Sequence, residues 1–137
     1  MVPQTISYLG SLRCSAVHGP SSVELITDAP KDNHGRGESF SPTDLVVTAL
    51  ATCMVTTMGI RAQNDGVNLD GTTVEVEKHM STDPPRRIAR IVVHMTMPPG
   101  LETGTRAILE ETARTCPVAQ SINPGIDLQL SFHYGRR

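Results

Sequence analysis

Hydrophobic and polar residues alternate in several stretches of the chain, and each stretch predicts a β-strand. The stretch TVEVEK, which begins at Thr73, places its valines on one face and its charged residues on the other. The predicted strands are residues 5–18, 23–27, 73–78, 88–97 and 126–134. Turn residues separate the first two strands (HGPS) and the next two (STDPP), so both pairs predict antiparallel hairpins.

A helical spacing of apolar residues follows residue 40. Ser41 is a good N-cap residue, Pro42 suits the first helical position, and Asp44 stands where a capping box places an acid. The pair Asp65-Gly66 predicts the end of this helix. The apolar face of the predicted helix comprises Leu45, Val46, Ala49, Leu50, Cys53, Met54 and Thr57.

Two further helical segments are predicted, one over residues 101–115 and a short one that begins at Pro117. The resulting order, ββα followed by ββαα and a last strand, indicates an α+β fold with antiparallel sheets. A length of 137 residues favours a single domain over residues 1–137. The polar segment from Asp28 to Glu38 is long enough to be a functional loop.

Composition narrows the class of protein. With two Phe, two Tyr and no Trp, the core must be mostly aliphatic, and burial between subunits would stabilise it further. The net charge is −2, and basic residues cluster only at residues 85–87 and 136–137, so nucleic-acid binding is not expected. The sequence begins without a secretory pattern and has no apolar run of roughly 20 residues, so we expect a cytoplasmic protein that does not span a membrane.

Three cysteines carry the candidate chemistry. Cys53 lies on the apolar face of the long helix and is predicted to be buried, whereas Cys116 precedes Pro117. No set of cysteines and histidines has zinc-site spacing, so we predict no metal. Two distant thiols that the fold brings together can attack a peroxide and then resolve the sulfenic acid. The alternative is that these cysteines are small hydrophobic residues, which is our interpretation of Cys14.

Three segments of the chain resemble the OsmC/Ohr family. They are GRGESFSPTDLVVTALATCMVTTMGI, the hairpin VEVEKHMSTDPPRRIARI, and TCPVAQSI followed by the last strand. The segment ESFSPTDL is similar to the general OsmC-like branch. The resemblance implies an OsmC-like fold with a long central helix and an intertwined homodimer whose two active sites lie at the subunit interface.

The same resemblance implies a thiol-dependent peroxidase that reduces organic hydroperoxides, and hydrogen peroxide as a further substrate. It implies no cofactor, and a dithiol reductant such as a lipoyl-bearing protein. By position, Cys53 is the attacking thiol, Cys116 the resolving thiol, Arg13 the activating cation and Asp44 the assisting carboxylate. These roles agree with chemistry, because a guanidinium favours a nearby thiolate and a carboxylate can orient that guanidinium. A helix N-terminus beside Cys116 is also expected to lower its pKa.

Asp44 departs from the hydroperoxide resistance branch, where the carboxylate lies one residue earlier, at the position of Thr43. Nine residues separate Asp44 from Cys53, which corresponds to a rotation of roughly 180° along a helix and a rise of about 13.5 Å. Asp44 therefore either serves the site of a partner subunit or only caps its own helix. Glu38 in the preceding loop is an alternative carboxylate.

Two other functions remain open at the level of sequence. A non-catalytic protein of this family could bind a small hydrophobic ligand at the dimer interface, because resemblance fixes fold better than activity. A cysteine hydrolase would use Cys53 with a distant histidine, although no residue pattern indicates a positioned base.

Overall fold

We describe the protein from a computed structural model that covers residues 1–135. The basic pair at residues 136–137 lies outside the described residues. The chain forms two compact units, the first over Met1–Val46 and the second beginning at Val47, and each is described by itself.

The first unit contains a three-stranded antiparallel sheet. Its strands are β1 (Gln4–Gly10), β2 (Arg13–His18) and β3 (Glu24–Asp28), in the spatial order β1-β2-β3. The prediction of one strand over residues 5–18 was wrong, because the chain reverses at Ser11 and Leu12 and forms two strands. The hairpin predicted to join the second of these strands to β3 is present.

The reversal between β1 and β2 is a two-residue turn with left-handed backbone angles. Ser11 has φ 55° and Leu12 has φ 63°, and Gly10 pairs with Arg13 across the loop. Positive φ at both central residues defines a type I′ turn, which usually carries Asn-Gly or Asp-Gly. The pair Ser11-Leu12 gives no such signal. The alternation of hydrophobic and polar residues therefore predicted one continuous strand across the turn.

The polar loop after β3 folds tightly against its own beginning. It contains a short 3₁₀ turn, Lys31–Asn33. A Cβ atom on Gly35 would lie 1.7 Å from the carbonyl oxygen of Ala29, so this close approach requires glycine. The N–H of Gly37 donates to the same carbonyl oxygen over 3.2 Å. The loop therefore has a fixed path, and it delivers Glu38 to a defined place beside β2 and β3.

The second unit contains most of the long helix α1 and a mixed sheet. The helices are α1 (Pro42–Asn64), α2 (Thr103–Arg114) and α3 (Pro117–Ser121), and the strands are β4 (Thr73–Met80), β5 (Ile88–Met97) and β6 (Asp127–Tyr134). Their order in the sheet is β4-β5-β6. β4 and β5 pair antiparallel as predicted, but β5 and β6 pair parallel, so the expectation of purely antiparallel sheets was wrong at β6. Helices α2 and α3 form the crossover that a parallel pair requires.

The core of the second unit lies between α1, α2 and the inner face of the sheet. Its fully buried side chains are aliphatic or sulfur-containing, as the scarcity of aromatic residues predicted: Leu50, Met54, Met58, Ile91, Val93, Met95, Met97, Leu109 and Cys116. By length and composition α1 is apolar enough to cross a membrane, with a mean hydropathy of 1.6 over its most apolar window, contrary to the expectation from sequence. Its buried residues instead pack in this core, as those of a core helix do.

Candidate active site

Cys53 lies in the middle of α1, one residue before a fully buried methionine. The prediction that Cys53 is buried was only partly correct, because its side chain is half-buried at the edge of the core. The hydroxyl of Thr57, one turn later, donates to the carbonyl oxygen of Cys53 over 2.8 Å, and its oxygen lies 3.9 Å from the Cys53 sulfur. The thiol is therefore fixed by a regular helix and partly open on one side.

Cys116 is completely buried in the short connection between α2 and α3. It is the N-cap residue of α3, and its sulfur accepts a hydrogen bond of 3.4 Å from the N–H of Ala119. Pro117 occupies the first helical position, where its missing N–H leaves nothing unpaired. The N–H groups that this turn offers to nearby sulfur atoms are those of Val118 and Ala119.

The fold brings Cys53 and Cys116 together. Each thiol is among the groups that shift the pKa of the other, and both cysteines are free thiols. More than sixty residues separate the two cysteines in the sequence. The arrangement places a second thiol next to the first without joining them covalently.

The two thiols have opposite tendencies to ionise. Burial disfavours the Cys53 thiolate, but hydrogen bonds from the Val118 N–H and the Cys116 thiol outweigh it, so the pKa of Cys53 lies below its ordinary value. Thr57 contributes least, since its proton is engaged by the carbonyl oxygen of Cys53. Of the two thiols, Cys53 is therefore the one that ionises more readily.

Cys116 behaves differently from the expectation. Burial raises the pKa of Cys116, and the hydrogen bond and negative charge of Cys53 raise it further, against the opposing hydrogen bonds from Ala119 and Val118. The N–H groups at the start of α3 do lower this pKa, as predicted, but the net shift is upward. The cost of burying a charge at Cys116 outweighs the hydrogen bonds from the short helix α3. Cys53 is therefore the sulfur that carries the negative charge more readily.

Arg13 lies in the first unit, at the start of β2. Its guanidinium pairs with the carboxylate of Glu38 over 3.2 Å. Asp28 is the direct partner of Arg13 across the β2-β3 ladder, and its carboxylate accepts the N–H of Glu38 over 3.0 Å. Asp28 is almost fully buried, and its second carboxylate oxygen has no hydrogen-bond partner among the described residues. The carboxylate that pairs with Arg13 is therefore that of Glu38, and Asp28 in turn accepts the backbone N–H of Glu38.

Asp44 forms a capping box at the start of α1. Its carboxylate accepts the N–H of Ser41 over 2.9 Å, and the Ser41 hydroxyl accepts the N–H of Asp44 over 3.1 Å. This reciprocal pair is the capping geometry predicted for these two residues. The sequence left two roles open for Asp44, at a partner's site or as a helix cap. The structure shows the helix cap.

Sequence reasoning missed two groups of this region. The Val118 N–H is a backbone donor, and the only hint of it was Pro117, which marks the beginning of a helical turn. Asp28 had no signal, because it was indistinguishable from the other polar residues of its loop. Within residues 1–135, no three His, Cys, Asp or Glu side chains form a group that could hold a metal ion.

Comparison with known proteins shows which family the chain is similar to. A family described as OsmC-like protein matches residues 35–131, a span that contains both Cys53 and Cys116. The chain belongs to the OsmC family. The resemblance predicted from sequence is thus confirmed, together with the α+β fold of two sheets and a long helix.

Solved structures of OsmC proteins have the same fold. A Psychrobacter arcticus protein, provisionally described as an osmotic stress induced and detoxification response protein, is 47% identical, with a TM-score of 0.92 over 97% of this chain and 96% of that chain. An organic hydroperoxide resistance protein OsmC from Legionella pneumophila has a TM-score of 0.77 at 18% identity, over 97% of this chain and 96% of that one.

A third structure, of an organic hydroperoxide resistance protein from Elizabethkingia anophelis, has a TM-score of 0.78 at 14% identity, over 98% of this chain and 96% of that one. At such low identities, the Legionella and Elizabethkingia proteins show the fold alone. No curated protein sequence matches the chain.

Proposed function

We propose that this OsmC protein is a thiol-dependent peroxidase that reduces organic hydroperoxides, and hydrogen peroxide as a further substrate. The observation that carries the proposal is the contact between Cys53 and Cys116, with the pKa of the first lowered and that of the second raised. A reactive thiolate beside a protonated thiol is what a peroxidase with an attacking and a resolving cysteine requires.

The chemistry proceeds in three steps. The Cys53 thiolate attacks the terminal oxygen of the hydroperoxide, the O–O bond breaks, and the alkoxide leaves and takes a proton to become the alcohol. Cys53 is then a sulfenic acid, and the sulfur of Cys116 displaces its hydroxyl group as water to form a disulfide. A dithiol such as a dihydrolipoyl group reduces this disulfide and is itself oxidised.

In this proposal Arg13 supplies the activating positive charge, as the family resemblance implies. The Arg13–Glu38 pair supports that role, since a carboxylate contact restricts the guanidinium and Asp28 fixes the backbone of Glu38. We assign the orienting role to Glu38 rather than Asp44. The prediction of a single domain over residues 1–137 is part of the same proposal.

The proposed assembly is a homodimer in the cytoplasm. Ile6 and Leu25 lie in one cross-strand row of the first sheet and Tyr8 lies next to that row, with 60%, 43% and 67% of their surfaces exposed. An apolar sheet face of this kind is suited to burial against a second copy. A reducing compartment suits free thiols, because a dithiol reductant must return the disulfide to the reduced form.

The test is peroxide consumption by the purified protein, with a dihydrolipoyl dithiol as reductant and an alkyl hydroperoxide compared with hydrogen peroxide. Cys53→Ser should abolish consumption, because no sulfenic acid can form there. Cys116→Ser should allow a single turnover and then accumulate over-oxidised Cys53. Cys14→Ser is the matched control and should consume peroxide at the unmodified rate. Full activity in Cys53→Ser would refute the assignment.

A non-catalytic, ligand-binding role has one observation in its favour. A cavity of about 350 Å³ lies between α1 and β4, lined by Thr48, Ala51, Thr52, Val55, Thr56, Thr72, Val74 and Val76. Binding of a hydrophobic ligand without peroxide consumption would favour this role. A cysteine hydrolase is disfavoured, since the groups on the Cys53 sulfur are Val118, Cys116 and Thr57, and among the described residues no histidine supplies a base there.

A further inference from the structure

We propose that the hydroxyl group of Thr57 binds the hydroperoxide: its oxygen accepts the peroxide O–H hydrogen and holds the terminal peroxide oxygen against the Cys53 sulfur. This inference rests on the proposed peroxidase function and deepens it, because it names a residue that contacts the substrate. It also defines the group that is recognised, which is the HO–O unit that alkyl hydroperoxides and hydrogen peroxide share.

Thr57 lies beside the Cys53 sulfur because the two residues are one helical turn apart. Residues i and i+4 occupy the same face of a helix, and the hydroxyl oxygen of Thr57 lies 3.9 Å from the Cys53 sulfur. Both side chains are half-buried, so the core does not close over them completely. The hydroxyl oxygen is therefore adjacent to the atom that reacts, on a part of α1 that a small molecule can approach.

The hydrogen of this hydroxyl is already used. Thr57 donates it to the carbonyl oxygen of Cys53 over 2.8 Å. Threonine commonly makes this bond to residue i−4 of a helix, and Thr112 in α2 makes it to Ile108 over 2.8 Å. What distinguishes Thr57 is that its residue i−4 is a cysteine. With the hydrogen on the carbonyl, the hydroxyl presents lone pairs to its other neighbours and acts there as an acceptor.

Ionisation of Cys53 leaves this acceptor open. A neutral Cys53 thiol has a hydrogen that the Thr57 oxygen can accept, whereas the thiolate has none. A hydroperoxide brings one O–H hydrogen, which needs an acceptor in a half-buried site.

The distance between the two side chains suits such a guest. Reacting atoms approach to about 3–3.5 Å before a bond forms, and an O–H···O bond spans about 2.7 Å. A peroxide oxygen at the first distance from sulfur can therefore lie at the second distance from the Thr57 oxygen, because sulfur and oxygen are 3.9 Å apart.

The bound orientation matches the reaction. The oxygen that carries the hydrogen is the terminal one, which the Cys53 thiolate attacks. A sulfur–oxygen bond forms, the O–O bond breaks, and its electron pair leaves on the alkoxide, which takes a proton from water. The hydrogen stays on the transferred oxygen, so Thr57 accepts the same hydrogen in the peroxide and in the Cys53 sulfenic acid. Thr57 thus places the oxygen for attack without giving up or gaining a proton.

The test compares two reagents at one sulfur. In a Cys14→Ser/Cys116→Ser background Cys53 is the single thiol, and its rate constants with an alkyl hydroperoxide and with methyl methanethiosulfonate are measured in a single turnover. The thiosulfonate has no O–H or N–H group. Both reagents require the thiolate, so the ratio of the two rate constants is independent of how much thiolate is present.

Thr57→Val replaces the hydroxyl group by a methyl group of similar size and should lower this ratio about tenfold. Thr57→Ser keeps the hydroxyl and should retain most of the ratio. Thr112→Val is the matched control, because it removes the same bond to a carbonyl oxygen at position i−4 in another helix, and it should leave the ratio unchanged. If loss of Cys116 prevents folding, the ratio is measured at Cys53 in the otherwise unmodified chain by peptide mass spectrometry.

Failure of this inference can be told apart from failure of the proposed function. An unchanged ratio in Thr57→Val would overturn substrate binding by Thr57, even if both rate constants fell together, and would leave the peroxidase standing. A Cys53 thiolate that reacts with the hydroperoxide no faster than the thiolate of free cysteine would overturn the proposed function and this inference together.

Discussion

Arg13 is held by a carboxylate whose own backbone is fixed by a second, buried carboxylate. The Arg13–Glu38 pair is partly exposed, with 29% and 54% of the two side chains accessible, so its contribution to stability is small, about 0–1 kcal/mol. Its importance is orientation, because a guanidinium restricted by Glu38 presents its remaining N–H groups in a defined direction. Residues that hold Arg13 should therefore affect thiol chemistry more than folding.

This leads to a prediction at the scale of single residues. Arg13→Ala should raise the pKa of Cys53, because the thiolate loses the activating positive charge, and Arg13→Lys should restore it only in part, since the planar fork is lost. Glu38→Gln should lower the peroxidase rate with little change in melting temperature. The measurements are thiolate absorbance against pH, peroxide consumption and thermal melting. An unchanged Cys53 pKa in Arg13→Ala would transfer the activating role to another cation, and Arg36 in the same loop is the next candidate.

The roles of the two candidate carboxylates show where sequence reasoning succeeded. The Ser41–Asp44 capping box was predictable, because its pattern is local and its geometry follows from helix formation alone. The pairing of Arg13 with Glu38 depends on a loop that folds back over Gly35 and on a buried Asp28, and neither is encoded by spacing. The net direction of the Cys116 pKa shift could not be predicted for a similar reason, since burial depends on how distant elements pack.

At the scale of elements, the capping box gives Asp44 a role at the start of α1. Asp44→Ala should lower the free energy of unfolding by about 0.5–2 kcal/mol, because the N–H of Ser41 loses its acceptor, and the titration of Cys53 should not change. Asp44→Asn keeps an acceptor oxygen and should cost less. Denaturant unfolding and thiolate absorbance measure the two effects. A loss of peroxidase rate at unchanged stability would instead support the assisting role that the family resemblance implies.

The attachment of α2 to β6 should depend on pH through Tyr134. Its hydroxyl donates to Glu110 on α2 over 2.7 Å, and the guanidinium of Arg106 lies 4.4 Å from the centre of its ring. Burial, together with the hydrogen bond and charge of Glu110, raises the pKa of Tyr134 far above its usual range. The folded protein therefore keeps this proton after the unfolded chain has lost it, so stability declines as pH rises above about 10.

Tyr134→Phe tests this coupling. The variant should be less stable near neutral pH by about 1 kcal/mol, because the hydrogen bond to Glu110 is lost. The difference from the unmodified protein should shrink at alkaline pH, where phenylalanine has no proton to lose. Denaturant unfolding at several pH values measures both, with Tyr8→Phe, at an exposed tyrosine of β1, as the control. A constant difference across pH would show that Tyr134 is not the group responsible.

The parallel pairing of β6 marks the limit of sequence reasoning about elements. The alternation over residues 126–134 predicted the strand correctly, because it records only which side chains face the core. Strand direction is set by the route of the chain through α2 and α3, and no residue within β6 encodes it. Element type was therefore predictable here, whereas the topology of the second sheet required the structure.

At the scale of the whole molecule, the apolar row on the first sheet predicts assembly. We expect a homodimer by size-exclusion chromatography with light scattering at micromolar concentration, because Ile6, Tyr8 and Leu25 leave a contiguous apolar surface uncovered. Ile6→Glu should shift the population towards monomer, since burial of a charge without a partner is costly. Thr73→Glu, at an exposed position of β4, is the control and should remain a dimer. A stable monomer of the unmodified chain would contradict the prediction.

The turn between β1 and β2 has a consequence for the order in which the first sheet forms. Ser11 and Leu12 adopt left-handed angles that their side chains disfavour, so the local sequence does not by itself bring β1 back onto β2. What holds the turn from outside is the N–H of Ala29, which donates to the carbonyl oxygen of Leu12 over 3.2 Å. A peptide limited to residues 4–18 lacks that anchor and should remain largely unfolded. During folding, β1 is then expected to join last, after β2 and β3 have already paired.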